Sequence, residues 1–488
     1  MADGKGEVPR KTPGVFIQEV NAFPNSVVEV ETAVPTFVGY VEKVPASSSA
    51  ERITSLVEYR QIFGGPPATR FTFADTDEVS VDPSTRFLLD LSLRLFFENG
   101  GGPCWILPIG TYDLAMKAGK SKEDFLGVLP LLEKNSEATM LVSPDAVLLG
   151  EEEWGVVSRQ FLEHCGKMQS RVAILDVYDG FKSRTHGDDD VVDRFRQQIS
   201  GDSLKYGAAY YPWLNTSVTE EGEVDFRWIG EASRGAFETA LLAGATDQAK
   251  ATVSALLERM ARAEASALPE VAAIHGSLMV ASPLYVEVMR KIRAELDLLP
   301  PSAGMAGVWT RVDSAMGVFK APANTGVNSV VSATVEITNE DQQDLNVPLD
   351  GKAINAIRSF AGRGLLVWGA RTLDGNSQDW RYINVRRTMI MLEQSIKLAV
   401  QAYVFAANDA LTWVTVTSMI ENFLTNQWKE GALVGAKPAD AFDVKVGLGS
   451  TMTADDILNG YMNVTVLVAM VRPAEFIVLT FQQQMATP

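Results

Sequence analysis

Each end of this chain carries a short apolar strand set apart from the rest by a proline. Near the amino terminus, a polar stretch from Met1 to Lys11 leads to Pro13-Gly14, which break the chain before the β-prone run VFIQEV, Val15 to Val20. Near the carboxyl terminus, NVTVLVAMV is followed by Arg472-Pro473, then a separate run EFIVLTF from Glu475 to Phe481, then a polar tail. An isolated strand with apolar side chains on both faces is unstable alone in water, so each must add to a sheet of its own subunit or of a neighbour. The sequence pattern leaves both options open.

Between these ends lie enough residues for more than one core. The chain has 488 residues, 46% of them hydrophobic and 21% charged, which predicts a globular protein of two or more domains. The most apolar long stretch, Ile396 to Val416, carries Lys397, Asn408 and Asp409, so no membrane span is expected, and no amino-terminal block resembles a signal peptide. With 43 Lys and Arg against 61 Asp and Glu, the formal charge is -18. A polyanion would be repelled, so nucleic acid is not an expected partner. Two cysteines, Cys104 and Cys165, are too few for a disulfide framework and are expected as buried free thiols.

Ser84 or Thr85 is expected to cap a helix with Leu88, Leu91 and Leu95 inward, stopped at Asn99-Gly100-Gly101-Gly102 before the strand CWILPI. Apolar strands then alternate with helices to about Pro300: ATMLVS from Ala138, RVAILDV from Arg171, and a helix from Ala249 to Ala267. That alternation predicts an α/β middle domain with a largely parallel, helix-covered sheet. After Pro300-Pro301 a Gly-punctuated segment precedes an alternating strand from Val331 to Ile337. Next come a short helix capped by Asp350 with Ile354 and Ile357 inward, the strand LLVWGA, a turn at Asp374-Gly375-Asn376 and the strand WRYINV. Two core-facing helices close the pattern, one through Met389, Leu392, Ile396 and Tyr403, the other capped near Asn408 or Asp409 with Val416, Ile420, Leu424 and Trp428 on one face before Gly431.

The familiar chemistries fail on spacing. Gly119-Lys120-Ser121 resembles the end of a phosphate-binding loop, but Leu114 stands where that loop needs glycine. The glycine triplet at 100–102 follows a helix and precedes a strand, the reverse of the dinucleotide-binding order. His164, His186 and His275 are scattered, so no metal and no cofactor are expected. The sharpest enzymatic alternative is a subtilisin-like serine hydrolase, from the chain order Asp176, His186, then Ser277 or Ser282. Only ten residues separate its Asp and His, and the nucleophile signature is missing.

Several segments together resemble one family. TPGVFIQEV with AFPNSVVEVETAVPTFVGYVEK, the helix-to-strand turn LRLFFENGGGPCWILPI, GVFKAPAN from Gly317 to Asn324, LNVPLDGKAINAIRSFAGRGLLVWGARTL, DWRYINVRR and VRPAEFIVLTF occur in the order seen in tail sheath proteins. These build contractile phage tails, R-type bacteriocins and extracellular injection systems of the antifeeding-prophage and Photorhabdus-cassette type. The resemblance covers about the first hundred residues and everything after roughly Gly304; the middle third is only weakly similar.

The resemblance implies a mixed α/β (α+β) fold: a core sheath domain from both chain ends, an inserted subtilisin-like α/β middle domain without protease function, and extended terminal β-strand arms. The implied boundaries are an amino-terminal arm at 1–25, core at 26–100, insertion at 101–303, core again at 304–472, and a carboxyl-terminal arm at 473–488. It implies a structural, non-enzymatic subunit that polymerises helically as stacked hexameric rings around an inner tube and contracts to drive that tube through an envelope. Strand addition between subunits is implied for Val15, Phe16, Ile17, Glu19, Val20, Phe476, Ile477, Val478, Leu479 and Phe481, and a tube-facing position for Trp428, Lys429 and Lys437. Baseplate and terminator proteins are implied partners, with sheath paralogues in systems that carry them, and without membrane insertion. Assembly is expected in the bacterial cytoplasm, as part of a phage-tail-like particle. A scaffold that polymerises without contracting is the remaining alternative.

Overall fold

The fold is that of a computed structural model, which describes residues 26–45, 50–75, 78–187, 189–245, 247–263 and 268–478. Among these, one compact unit comprises 29–394 and 470–478, and a second comprises 395–469 with 26–28.

The larger unit is organised by a nine-stranded sheet. Its strands in chain order are β1 (Pro35–Val41), β2 (Glu51–Ile53), β3 (Cys104–Thr111), β4 (Met140–Val142), β5 (Val172–Asp176), β6 (Gly207–Tyr211), β7 (Thr325–Gly326), β8 (Asn355–Phe360) and β9 (Gly364–Val367). Across the sheet they run β7-β9-β8-β6-β5-β4-β1-β3-β2. The stretch from β8 to β3 is parallel, while β9 with β7 at one edge and β2 at the other are antiparallel. Parallel strands covered by helices read as continuous apolar runs rather than alternations, and β1, β4, β5 and β6 are buried at every position.

Helices α1 (Leu89–Glu98) and α2 (Ser302–Met316) pack against each other, and α2 also lies on β4 and β5. Gly304 and Gly307 make the approach of the two helices close: a Cβ on Gly307 would stand 2.4 Å from the Phe96 carbonyl oxygen. The first part of the Gly-punctuated segment is thus a buried helix, its glycines serving close contact rather than chain breaking. The same unit holds an antiparallel hairpin (Phe71–Asp75 with Glu78–Val81) and four successive helices at 231–244, 247–263, 268–281 and 283–296.

Other expectations need correction. Asp82, not Ser84 or Thr85, caps a 3-10 turn at 83–85, and α1 begins only at Leu89, because the Leu88 amide is held by Asp145 at 2.6 Å. Ile354 and Ile357 belong to β8 and its approach, not to a helix: residues 353–357 are all buried, so no strand alternation showed, and Asp350 accepts from the Lys352 amide within a turn instead of capping. WRYINV is not a strand, since helix α3 (Ile383–Val400) starts inside it, leaving one β-bridge between Tyr382 and Arg371. The strand expected from Val331 to Ile337 covers only Val330–Ala333.

The smaller unit is simpler. Helix α4 (Ala410–Glu430) is capped by Asp409, which accepts from the Thr412 amide, and ends at Gly431 in the left-handed region at φ 94°. Its stripe of Val416, Ile420, Phe423 and Leu424 is buried, and it packs on a two-stranded antiparallel ribbon, β10 (Phe442–Val446) with β11 (Val464–Val468).

Candidate functional site

The residues that suggested catalysis are each committed elsewhere. Asp176, at the end of β5, accepts from the amide of Ser302 at 2.7 Å and its hydroxyl at 2.5 Å, and so satisfies donors of the first turn of α2. His186 Nε2 lies 3.1 Å from Asp341, a residue of the capping box that starts helix 339–346. Ser282 caps helix 283–296 by accepting from the Tyr285 amide, and Ser277 donates to the Ala273 carbonyl. Among the described residues no hydrogen bond joins Asp176 to His186 or His186 to either serine. Lys120 donates to the Pro83 carbonyl at 2.8 Å and rests over the Phe87 ring, while Ser121 caps a short helix. His164 is buried, and desolvation first, then Arg171, drives its imidazole down to about 4. His275 Nδ1 meets the Tyr285 hydroxyl at 2.9 Å. No group of three or more His, Cys, Asp or Glu that could hold a metal occurs among the described residues, and both cysteines are buried free thiols.

The place where a doubly wound sheet usually binds ligand is filled. Strand order reverses at β1, which β3 and β4 flank on opposite sides, and ligands in such sheets bind at the carboxyl ends of the strands around that point. Here Asp145, in the loop after β4, accepts from the Tyr40 amide at 2.9 Å and the Leu88 amide at 2.6 Å. Gly39 makes room for it: a Cβ there would meet the Asp145 carboxylate at 2.7 Å. The Tyr40 ring packs edge-on against Phe87 and Phe125, and Phe87 against Tyr112, closing the crevice with side chains.

The chain's carboxyl-terminal end has the opposite character. Phe476, Ile477 and Val478 are 72%, 77% and 87% exposed and, among the described residues, pair with no strand. Three consecutive apolar residues in water are a standing cost, and their backbone is available for a ladder. The residue before them is fixed: Glu475 accepts from Arg371 at 2.6 and 3.0 Å, from Asn346 at 2.7 Å and from the Tyr382 hydroxyl at 3.2 Å. Burial would raise its carboxyl, yet these donors hold it below the usual carboxylate range. Leu479 and Phe481, like Val15, Phe16, Ile17, Glu19 and Val20, lie outside the described residues. Sequence reasoning missed Arg371, Asn346 and Tyr382. Its one available signal was a charged residue inside the apolar run LLVWGARTL, which had to find a partner somewhere.

In the smaller unit the β10–β11 ribbon has no third strand among the described residues. Asp443, Lys445, Thr465 and Leu467 point away from the buried side. Trp428 is half-buried and donates its indole N–H to the Gly435 carbonyl at 2.9 Å, which holds the loop after α4. Lys429 is exposed at the end of α4, and Lys437, with 70% of its side chain exposed, stands 3.9 Å from Asp440.

Comparison with known proteins converges on one family. The phage tail sheath C-terminal domain matches residues 376–484. The tail sheath protein of Salmonella phage ViI is 27% identical over 155 residues, 31% of this chain and 24% of that protein. That of Burkholderia phage BcepMu is 30% identical over 148 residues, 29% of this chain and 30% of that protein, so the chain aligns with under a third of either relative's length. Solved structures match from end to end. The helical sheath of the antifeeding prophage in its contracted state is 30% identical with a TM-score of 0.62, covering 97% of this chain and 100% of that one. The contracted PVC sheath complex of an extracellular contractile injection system is 28% identical with a TM-score of 0.60, covering 97% and 98%. A chain of the antifeeding prophage baseplate is 30% identical with a TM-score of 0.61, covering 98% and 100%. An exposed, anchored apolar segment near the carboxyl terminus, a filled switch-point crevice and full-length likeness at 30% identity lead to one conclusion: the chain belongs to the tail sheath family of contractile phage tails and phage-tail-like injection systems.

Proposed function

We propose that the chain is the repeating subunit of a contractile sheath, polymerising helically around an inner tube and contracting to drive that tube through a target envelope, without catalysis. The observation that carries this reading is an exposed apolar segment and a two-stranded ribbon in the same chain. Phe476, Ile477 and Val478 are exposed, and among the described residues the β10–β11 ribbon has no third strand. Covering such side chains is worth about 1.5–3 kcal/mol each, and main-chain hydrogen bonds would fix the register. A strand of one copy added to the ribbon of another is a head-to-tail contact, which builds a helix when its rotation does not close. Leu479 and Phe481 continue that strand, and Val15, Phe16, Ile17, Glu19 and Val20 supply its amino-terminal counterpart.

Likeness to sheaths solved in the contracted state supports a two-state polymer. In this reading the extended lattice is kinetically trapped, and contraction turns the subunits nearly as rigid bodies while the arms keep neighbours joined. The exposed Lys429 and Lys437 give weak, screened contacts to the tube, which must be released on firing, and Trp428 braces the loop that presents Lys437. Baseplate and terminator proteins bound the polymer, which assembles in the cytoplasm as part of a phage-tail-like particle.

Negative-stain microscopy of the full chain expressed alone tests the proposal. The expected result is hollow tubes with the 6-fold symmetry in which the related baseplate was solved, in the contracted state because no tube templates the extended one. Monodisperse monomers at every concentration would overturn it. Deleting residues 11–20 should remove the tubes while leaving monomer unfolding unchanged, and long sheaths from that deletion would refute the role of the amino-terminal arm.

A further inference from the structure

The root of the carboxyl-terminal arm is wired into the central sheet by a continuous chain of buried polar contacts. Asn355, 1% exposed in β8, donates to the carbonyls of Ala209 in β6 at 3.1 Å and of Arg371 at 2.8 Å, and accepts from the Arg371 amide at 2.7 Å. Arg371, 3% exposed, spends Nη1 on the carbonyls of Asn346 and Gly375 and turns Nε and Nη2 onto the two oxygens of Glu475. Its guanidinium also lies near the Tyr382 ring, whose hydroxyl completes the set around Glu475. One turn of chain earlier, Asn384 holds the Val471 carbonyl at 3.2 Å. Such investment is out of proportion to keeping a surface carboxylate in place: a bidentate arginine pair with two further donors fixes both position and direction. Immediately beyond it, every side chain to Val478 is exposed.

We infer that Glu475 is the positioning residue of the arm, the point at which force on the terminal strand passes through Arg371 and Asn355 into the central sheet. The arm therefore pivots after Glu475, and not at Arg472-Pro473. This rests on the reading of residues 476–481 as a strand added to a neighbouring copy.

The test uses the full chain with Glu475→Ala, Glu475→Gln, and a deletion of 476–488. Spin labels on cysteines introduced by Val478→Cys and, as a fixed reference on the exposed side of helix 151–168 of the larger unit, Glu163→Cys report arm direction, since the native thiols are buried. With thermal unfolding unchanged, Glu475→Ala should widen the label distance distribution about twofold and raise the concentration needed for sheath assembly about tenfold or more, the loss of one charge-assisted pair, with Glu475→Gln in between. A distribution as narrow as wild type, or wild-type assembly by Glu475→Ala, overturns the anchor. Should the alanine variant fold poorly, the glutamine variant decides the same question by the same two readouts. Long sheaths from the 476–488 deletion would instead sink the strand-addition reading itself, whereas loss of sheaths on deletion with normal assembly of Glu475→Ala sinks the anchor alone.

Discussion

At the scale of single residues, the informative groups are buried carboxylates that serve the fold. Asp145 and Asp176 are almost wholly enclosed, and burial, only partly offset by donated backbone hydrogen bonds, pushes the first up to about 6 and the second to about 7. Both therefore hold a proton when folded at a pH where the unfolded chain has lost it. The folded state binds more protons across this window, so stability is greatest below about pH 4 for these two groups and falls as pH rises towards 7, by on the order of 1.4 kcal/mol for each tenfold difference in proton affinity between the folded and unfolded states. Asp190 works in the opposite sense: although burial opposes it, Arg184 and the amides of Thr185 and His186 bring it down to about 2, so its contribution is present above the ordinary carboxylate range and lost in acid. Thermal unfolding of dilute, unassembled protein should accordingly show a lower Tm at pH 8 than at pH 5. Asp176→Asn should flatten that fall by removing the larger ionisable cost. A variant that keeps the full wild-type decline would show that Asp176 is not its source.

The elements were legible where periodicity was strong and misleading where burial was complete. Helix α4 was readable from its stripe, its Asp409 cap and Gly431, and the strands β3, β4 and β5 from their apolar runs. The errors share a cause. In β8 burial on both faces erased the period-2 signal and left Ile354 and Ile357 at a helical spacing. In α2 glycine, ordinarily a breaker, is instead what lets two helices touch. Substituting Gly307 separates these roles. Alanine is the better helix former by about 1 kcal/mol. Its Cβ, however, would meet the fixed Phe96 carbonyl oxygen at 2.4 Å and Asn99 Cβ at 2.8 Å, so the helices must part. Gly307→Ala should destabilise by about 1–3 kcal/mol in chemical denaturation, whereas Gly304→Ala, facing only the movable Leu95 side chain, should cost less. Stabilisation by Gly307→Ala would mean that the contact has slack. The anchor at Glu475 escaped the sequence for another reason: its partner Arg371 is 104 residues away, and no local pattern links them.

At the scale of the whole molecule, the apolar run after Pro473 is what the sequence offers about assembly, because exposed apolar side chains in a folded chain imply a partner even when its identity is hidden. What no local pattern contained was the electrostatic setting of assembly. Each copy carries a formal charge of -18, and a polymer brings many such copies together. If strand addition and apolar burial hold the lattice, the net charge acts only as repulsion between neighbours, and salt, which cuts the screening length from about 30 Å at 0.01 M to about 8 Å at 0.15 M, should promote assembly. If complementary ion pairs hold it, the same salt should weaken it. The chain's charge favours the first outcome: acids outnumber bases by 61 to 43, and arginines with buried side chains, Arg94, Arg184, Arg371 and Arg387, are spent on acids of their own chain. The critical concentration for sheath formation, measured by sedimentation between 0.01 and 0.15 M salt, should therefore fall severalfold as salt rises. A rise over that range would transfer the lattice energy from the arms to surface ion pairs, and would make the charged faces of the subunit, not its terminal strands, the elements that decide how copies join.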